Sequence, residues 1–142
     1  MTDGQPTVHV EIEERSARGV RGRVAWVRMD NPRKLNAGSA PLVAKLISSF
    51  ENLAKDDGLR AAVLTGAGDR AFMAGADLNE LTMLKPESAR HFITQLHLAA
   101  QAIRALPVPV IGRLRGFCLG AGLELAAACD FPAIECDVSL HE

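Results

Sequence analysis

One carboxylate, Glu124, stands in an otherwise apolar stretch of this sequence. Leu123 and residues 125–128, the run L-A-A-A, surround it with small or apolar side chains. A carboxylate buried in such surroundings is costly unless it is paired or protonated, and burial raises a carboxyl pKa toward the range useful for proton transfer. The same composition also fits a helix from which Glu124 faces solvent. Glu124 is therefore a candidate acid–base group, with both interpretations open.

Two glycine-rich turns could supply backbone donors near such a group. The segment G-F-C-L-G-A-G at residues 116–122 precedes Glu124, and A-G-A-D occupies residues 74–77. Free N–H groups at the start of a helix are donors, and the helix dipole favours negative charge beside them. Two backbone N–H groups converging on one oxygen would form an oxyanion hole. Two tight turns packed in a core would show the same small residues, so this alternative also stays open.

Other chemical motifs are weak. Residues 66–71, G-A-G-D-R-A, match G-x-G-x-x-A after a predicted strand, but the helix and the distant acidic residue of a dinucleotide site are missing. An ordinary glycine turn is the preferred interpretation. No serine lies in a nucleophile elbow. The histidines are scattered without metal-ligand spacing, which predicts no metal site; they are His9, His91, His97 and His141.

Composition excludes several classes of protein. The 142 residues are 48% hydrophobic and 23% charged, with a net charge of -1. This fits one soluble globular domain that binds neither nucleic acid nor membrane. The odd cysteine count, Cys118, Cys129 and Cys136, indicates reduced thiols. The sequence shows no secretory signal and no apolar stretch of membrane-spanning length, so we expect a cytoplasmic protein.

The elements that would position these groups alternate between strands and helices. Strands are predicted at residues 8–13 and 24–29, joined by a Gly- and Arg-rich segment at 16–22. The basic cluster in and around this segment belongs to a solvated hairpin tip or, alternatively, to a phosphate site; it consists of Arg15, Arg18, Arg21 and Arg23. Ser39 is expected to cap a helix ending near Lys55, and Asp77 a short helix through Leu84. Further predictions are a strand at 61–65, a long helix from Pro86 to Leu106, a strand at 110–114 and a buried helix at 120–128. Residues 132–142 predict no element, and the whole is an α/β chain.

Three segments resemble the crotonase (enoyl-CoA hydratase/isomerase) superfamily. They are N-P-R-K-L-N-A at 31–37, A-F-M-A-G-A-D-L at 71–78 and P-V-I-G-R-L-R-G-F-C-L-G-A-G-L-E-L-A-A-A-C-D-F at 109–131. The resemblance implies an α/β fold with a crotonase-like ββα spiral core, truncated before the C-terminal helices. It places an N-terminal core at residues 1–131 and a divergent or truncated tail at 132–142.

The resemblance also implies residue roles. The N–H groups of Ala76 and Ala121 would hold a thioester oxygen, and Glu124 corresponds to the first of two catalytic glutamates. Arg33 and Lys34 would meet the CoA phosphates or remain solvated loop charges. The residues implied to line the CoA and acyl path are Lys34, Leu35, Ala37, Ala74, Ala76, Asp77, Leu78, Gly120 and Ala121.

The implied activity is the addition of water across the 2,3 double bond of an enoyl-CoA thioester. CoA is part of the substrate and no separate cofactor is expected, while a full-length chain would form a homotrimer or a dimer of trimers. The family's second glutamate follows in a sequence like F-G-x-P-E, and neither Glu135 nor Glu142 lies in that motif. The chain is then a fragment, a truncated product or a divergent short member. The alternatives are an isomerase, a non-catalytic acyl-CoA-binding or assembly subunit and, more weakly, a nucleotide-binding domain using residues 66–71.

Overall fold

A computed structural model describes residues 4–135 of the chain, as seven strands, four α-helices and a short 3-10 turn at Pro32–Lys34. The strands are β1 (Thr7–Ala17), β2 (Val20–Asp30), β3 (Leu59–Gly66), β4 (Ala71–Met73), β5 (Val110–Leu114), β6 (Phe117–Cys118) and β7 (Phe131–Ile134). The helices are α1 (Ala40–Leu53), α2 (Leu78–Thr82), α3 (Pro86–Ala105) and α4 (Ala121–Ala128).

Five strands form one sheet in the order β1-β2-β3-β5-β7, and β4 and β6 form a second, two-stranded sheet. Only the β1–β2 hairpin is antiparallel; the other pairs are parallel. Such pairs need crossover connections, and here the connections between paired strands include helices. The predicted α/β class is confirmed.

The hairpin is tighter than the sequence predicted. Its strands pair without interruption to Ala17 and Val20, so the turn is only Arg18 and Gly19 rather than the segment 16–22. Both turn residues have positive φ, 51° and 76°, as in the type I′ turn that matches the twist of paired strands. Of the arginines, Arg18 lies in this turn, while Arg23 lies within β2 and donates hydrogen bonds to Asp56.

The core lies where the five-stranded sheet, β4 and helices α1, α3 and α4 pack together. Alternate residues of β2 are fully buried, as expected for one face of a pleated strand: Ala25, Val27 and Met29. The predicted cap of α1 is present, since the Ser39 hydroxyl accepts a hydrogen bond from the N–H of Leu42. The apolar stripes of both helices enter the same cluster through side chains that include Leu46, Phe50, Ala99 and Ile103. Each fully buried Leu, Ile or Phe side chain contributes about 1.5–3 kcal/mol.

Three strands escaped prediction from the sequence. Strands β4 and β6 have only three and two residues, too few to show a period. Strand β7 contains Pro132 and lies at the edge of the sheet, where a missing N–H is tolerated. The expectation of no element from residue 132 onward is therefore wrong for residues 132–134, which pair with β5.

No helix within residues 4–135 combines the length and the apolar character that a membrane span requires.

Candidate active site

The turn A-G-A-D at residues 74–77 is attached to the loop at residues 34–38. The N–H of Gly38 donates to the carbonyl of Gly75 (2.8 Å), and the N–H of Asp77 donates to the carbonyl of Gly38 (3.3 Å). The N–H of Ala74 donates to the carbonyl of Leu35 (3.1 Å). Three backbone hydrogen bonds therefore fix the position of the turn.

This attachment leaves the N–H of Ala76 free for a ligand. Gly38 forms a parallel bridge with Ala76 by bonding to the residues on either side of it. In such a bridge the middle residue directs its own N–H away from its partner. That N–H donates to no backbone carbonyl among residues 4–135. The turn thus presents one oriented, unused donor.

Ala121 offers a second donor close by. It is the first residue of α4, after Gly120 at the N-cap with φ of 52°, and its N–H likewise donates to no backbone carbonyl in the described range. A Cβ added to Gly120 would lie 3.7 Å from the Cα of Gly75. The pairing of β4 with β6 brings the two turns side by side. Two backbone donors without backbone partners on neighbouring turns are the kind of groups from which an oxyanion hole is built.

Asp77 and Lys34 hold the same turn through their side chains. The Asp77 carboxylate, 4% exposed, accepts a hydrogen bond from the N–H of Asn79 (2.9 Å) and binds the Lys34 ammonium (2.8 Å). The Lys34 hydrogen bond is the main cause that keeps the pKa of Asp77 below its usual range, against a smaller opposing effect of burial. Asp77 caps α2 as predicted. Both charges are thereby engaged in positioning the turn.

An open cleft of about 390 Å³ adjoins the turn. Seven of the residues implied by the resemblance line it together: Lys34, Leu35, Ala37, Ala74, Ala76, Asp77 and Leu78. Arg33 and Asn79 complete the lining. Asn79 was not predicted from the sequence, because a single polar residue in a short helix belongs to no recognisable sequence motif. Gly120 and Ala121 do not line this cleft, although Gly120 lies close to Gly75, which stands between the lining residues Ala74 and Ala76.

Glu124 follows the second of the two interpretations left open by the sequence, a helix from which the carboxylate faces solvent. It is exposed on α4 beside Leu123, whose exposed fraction is 59%, while Gly122, Leu125 and Ala126 face the core. A helix that is small or apolar on nearly every position gives no periodicity from which the buried side could be read. Other apolar side chains of this part of the chain are also exposed: Phe117, Leu119, Phe131 and Ile134.

The remaining motifs have structural explanations. The loop after Gly66 leads into β4 rather than a helix. A Cβ on Gly66 would lie 2.3 Å from the carbonyl oxygen of Ala71, so close packing requires this glycine. Within the described residues no group of three His, Cys, Asp or Glu side chains could hold a metal ion. Cys118 and Cys129 are free thiols, and burial raises the pKa of Cys129 to about 12; Cys136 and His141 lie outside the described residues.

The sequence profile of the enoyl-CoA hydratase/isomerase family matches residues 19–137. The chain belongs to the enoyl-CoA hydratase/isomerase family. A short-chain-enoyl-CoA hydratase of Clostridium acetobutylicum is 33% identical over 109 residues, 77% of this chain and 42% of that protein. A 6-oxocyclohex-1-ene-1-carbonyl-CoA hydrolase of Geobacter metallireducens is 31% identical over 131 residues, 86% of this chain and 34% of that one.

Solved structures of the same family share the fold. The enoyl-CoA hydratase of Bacillus anthracis superposes with a TM-score of 0.78 at 30% identity, over 88% of this chain and 46% of that chain. The crotonase fold predicted from the three segments is thus confirmed. This chain spans less than half the length of these relatives.

Proposed function

We propose that this chain binds a 2-enoyl-CoA thioester and adds water across its 2,3 double bond. The observation that carries the proposal is the pair of unused N–H groups, of Ala76 and Ala121, on adjacent turns beside a cleft. Family relatives named as enoyl-CoA hydratases support the substrate class. The thioester oxygen would lie between the two donors, with the acyl and pantetheine parts along the cleft.

The chemistry follows from where charge develops. Hydrogen bonds to the thioester oxygen draw electrons from the conjugated double bond and make the β-carbon electrophilic. Water adds to the β-carbon and loses one proton as it does so. The electrons of the double bond move toward the thioester group, so that an enolate forms with its negative charge on the thioester oxygen. A proton from solvent then adds to the α-carbon and gives the 3-hydroxyacyl thioester, and the base that took a proton from the water releases it to solvent. Removing one such backbone donor costs about 2.7–4 kcal/mol in comparable sites.

Glu124 is the group we assign to the attacking water. It lies three residues after Ala121 on α4, so the two positions are neighbours around the helix. Its carboxylate would orient the water and accept its proton. General-base contributions of this kind amount to roughly 10²–10⁴-fold in rate.

The test follows the loss of the conjugated enoyl thioester absorbance with Glu124→Gln. We expect the variant to fall by at least about 100-fold from wild type. Glu51→Gln is the matched control, because Glu51 is an exposed carboxylate on α1. Equal rates for Glu124→Gln and wild type would remove Glu124 from the mechanism.

A second candidate function is acyl-CoA binding without turnover. The exposure of Glu124 favours it, because an efficient active site keeps bulk water away from its acid–base group. Calorimetry with a saturated acyl-CoA, run beside the hydration assay, separates the two functions. Saturable binding with no turnover at any enzyme concentration would support the binding subunit. A product in which the double bond has moved without addition of water would instead support an isomerase. Analytical ultracentrifugation would test the proposed trimer by measuring the mass of the assembly.

A further inference from the structure

The loop at residues 31–38 contains an asparagine to which no role in the site has been given. Asn36 is 1% exposed, and both it and Leu35 have positive φ, 54° and 52°. Two consecutive non-glycine residues in this region are uncommon and carry a conformational cost. The surrounding structure must therefore hold them there.

The Asn36 side chain supplies that restraint. Its Oδ1 accepts a hydrogen bond from the N–H of Asn31 (2.9 Å), which closes the loop on itself. Its Nδ2 donates to the carbonyls of Ala67 (2.9 Å) and Ala71 (2.8 Å). One amide thus joins the loop, the turn after β3 and the start of β4. Only a side chain with an acceptor on one edge and a donor on the other can make all three bonds.

The peptide between Leu35 and Asn36 transmits this restraint to the proposed oxyanion turn. Its N–H donates to the carbonyl of Asn31 (2.8 Å), and its carbonyl accepts the N–H of Ala74 (3.1 Å). Gly38, two residues on, forms the bridge that turns the N–H of Ala76 toward the ligand side. The left-handed conformation at residues 35 and 36 sets the direction of that carbonyl.

We infer that Asn36 is a positioning residue that orients the N–H of Ala76 for the thioester oxygen. This inference rests on the proposed function. Asn36 reaches the turn through hydrogen bonds and does not line the cleft described above. A donor displaced by about 1 Å can cost on the order of 100-fold in rate. An interaction made mainly in the transition state affects kcat and leaves KM nearly unchanged.

Two variants test the inference. Asn36→Gly accepts positive φ but lacks all three side-chain bonds, whereas Asn36→Asp keeps the shape and turns a carboxylate edge toward two carbonyls. We expect kcat to fall by about 10–100-fold in both, with KM changed by less than about threefold. Ile103→Val in the core of α3 is the control, since it lowers the melting temperature without touching the loop.

The decisive readout is the infrared carbonyl band of bound butanoyl-CoA, isotope-labelled at the thioester. This ligand has no double bond to hydrate, so the band reports hydrogen bonding alone. In wild type and in Ile103→Val, the carbonyl band should shift to lower frequency by the same amount on binding. In both Asn36 variants, we expect the shift to be less than half as large. Equal shifts in wild type and folded Asn36 variants would overturn the inference alone. No shift in wild type would overturn the proposed oxyanion site as well. Failure of both Asn36 variants to fold would show that Asn36 is a purely structural residue and would also overturn the inference.

Discussion

Replacing Asp77 should destabilise the chain by an amount that depends on which of its two interactions is kept. Its carboxylate caps α2 and binds the ammonium of Lys34. Asp77→Ala removes both. Loss of the cap costs about 1 kcal/mol. Loss of the charged hydrogen bond costs about 1 kcal/mol more, which is less than for a fully buried bond of this kind because the Lys34 side chain is 47% exposed. Asp77→Asn retains an oxygen for the cap and should lose only the second part.

Chemical denaturation followed by circular dichroism measures these differences directly. At neutral pH we expect about 2 kcal/mol for Asp77→Ala and about 1 kcal/mol for Asp77→Asn, or about 6 °C and 3 °C in melting temperature for a chain of this size. Asp57→Asn, at an exposed aspartate of the loop before β3, is the control and should stay within about 0.5 kcal/mol of wild type.

The pH dependence has a definite direction. Lys34 keeps the pKa of Asp77 below its ordinary value, so the folded state favours the ionised carboxylate. The stabilisation is then fully present above the unfolded carboxyl pKa of about 3.9 and is lost as the pH falls through the folded pKa. The difference in free energy of unfolding between wild type and Asp77→Asn should be constant from pH 7 to about 5 and should become smaller below about pH 4. A difference in free energy of unfolding that grows on acidification would refute this account. So would an Asp77→Ala variant as stable as wild type.

Two further predictions concern packing around α4. Gly122→Ala should lower the free energy of unfolding by about 3 kcal/mol, because the new Cβ would lie 2.1 Å from the carbonyl oxygen of Met73. Gly68→Ala, where a Cβ meets nothing within 4 Å, should cost about 1 kcal/mol through its positive φ alone. Equal losses in the two variants would contradict the contact. A thiol reagent at pH 8 should modify Cys118 well before Cys129 in the native protein, since burial raises the pKa of Cys129 to about 12 and only the thiolate reacts. Peptide mapping by mass spectrometry reads the order, and faster labelling of Cys129 would show that it is accessible.

The sequence predicted the long elements and their caps because periodicity and capping residues act locally. Ser39 and Asp77 cap the helices expected of them, and Phe92, Ala99 and Ile103 form the buried side of α3. Strands β4, β6 and β7 could not be predicted, because two to four residues show no period and their stability comes from partners distant in sequence.

The candidate site divides in the same way. The first two quoted segments predicted most of the lining of the cleft through the resemblance that they carry, whereas Gly120 and Ala121 of the third segment do not line it. Sequence could not decide the exposure of Glu124, since the small, apolar composition of α4 marks no buried face. Nor could it identify Asn36, whose contribution depends on carbonyls 31 and 35 residues away in the chain.

Buried polar side chains are concentrated around the proposed site. Five polar or charged side chains are buried among the described residues: Asn31, Asn36, Ser39, Thr65 and Asp77. All but Thr65 belong to residues 31–39 or to the turn at 74–77, and every one has a hydrogen-bond partner. A buried polar group is costly unless it is bonded, so a fold concentrates such groups where backbone geometry has to be exact. In the mechanism that we propose, that geometry includes the direction of the Ala76 N–H group, and apolar side chains such as Leu, Val or Ile at these positions would lack the hydrogen bonds that hold it.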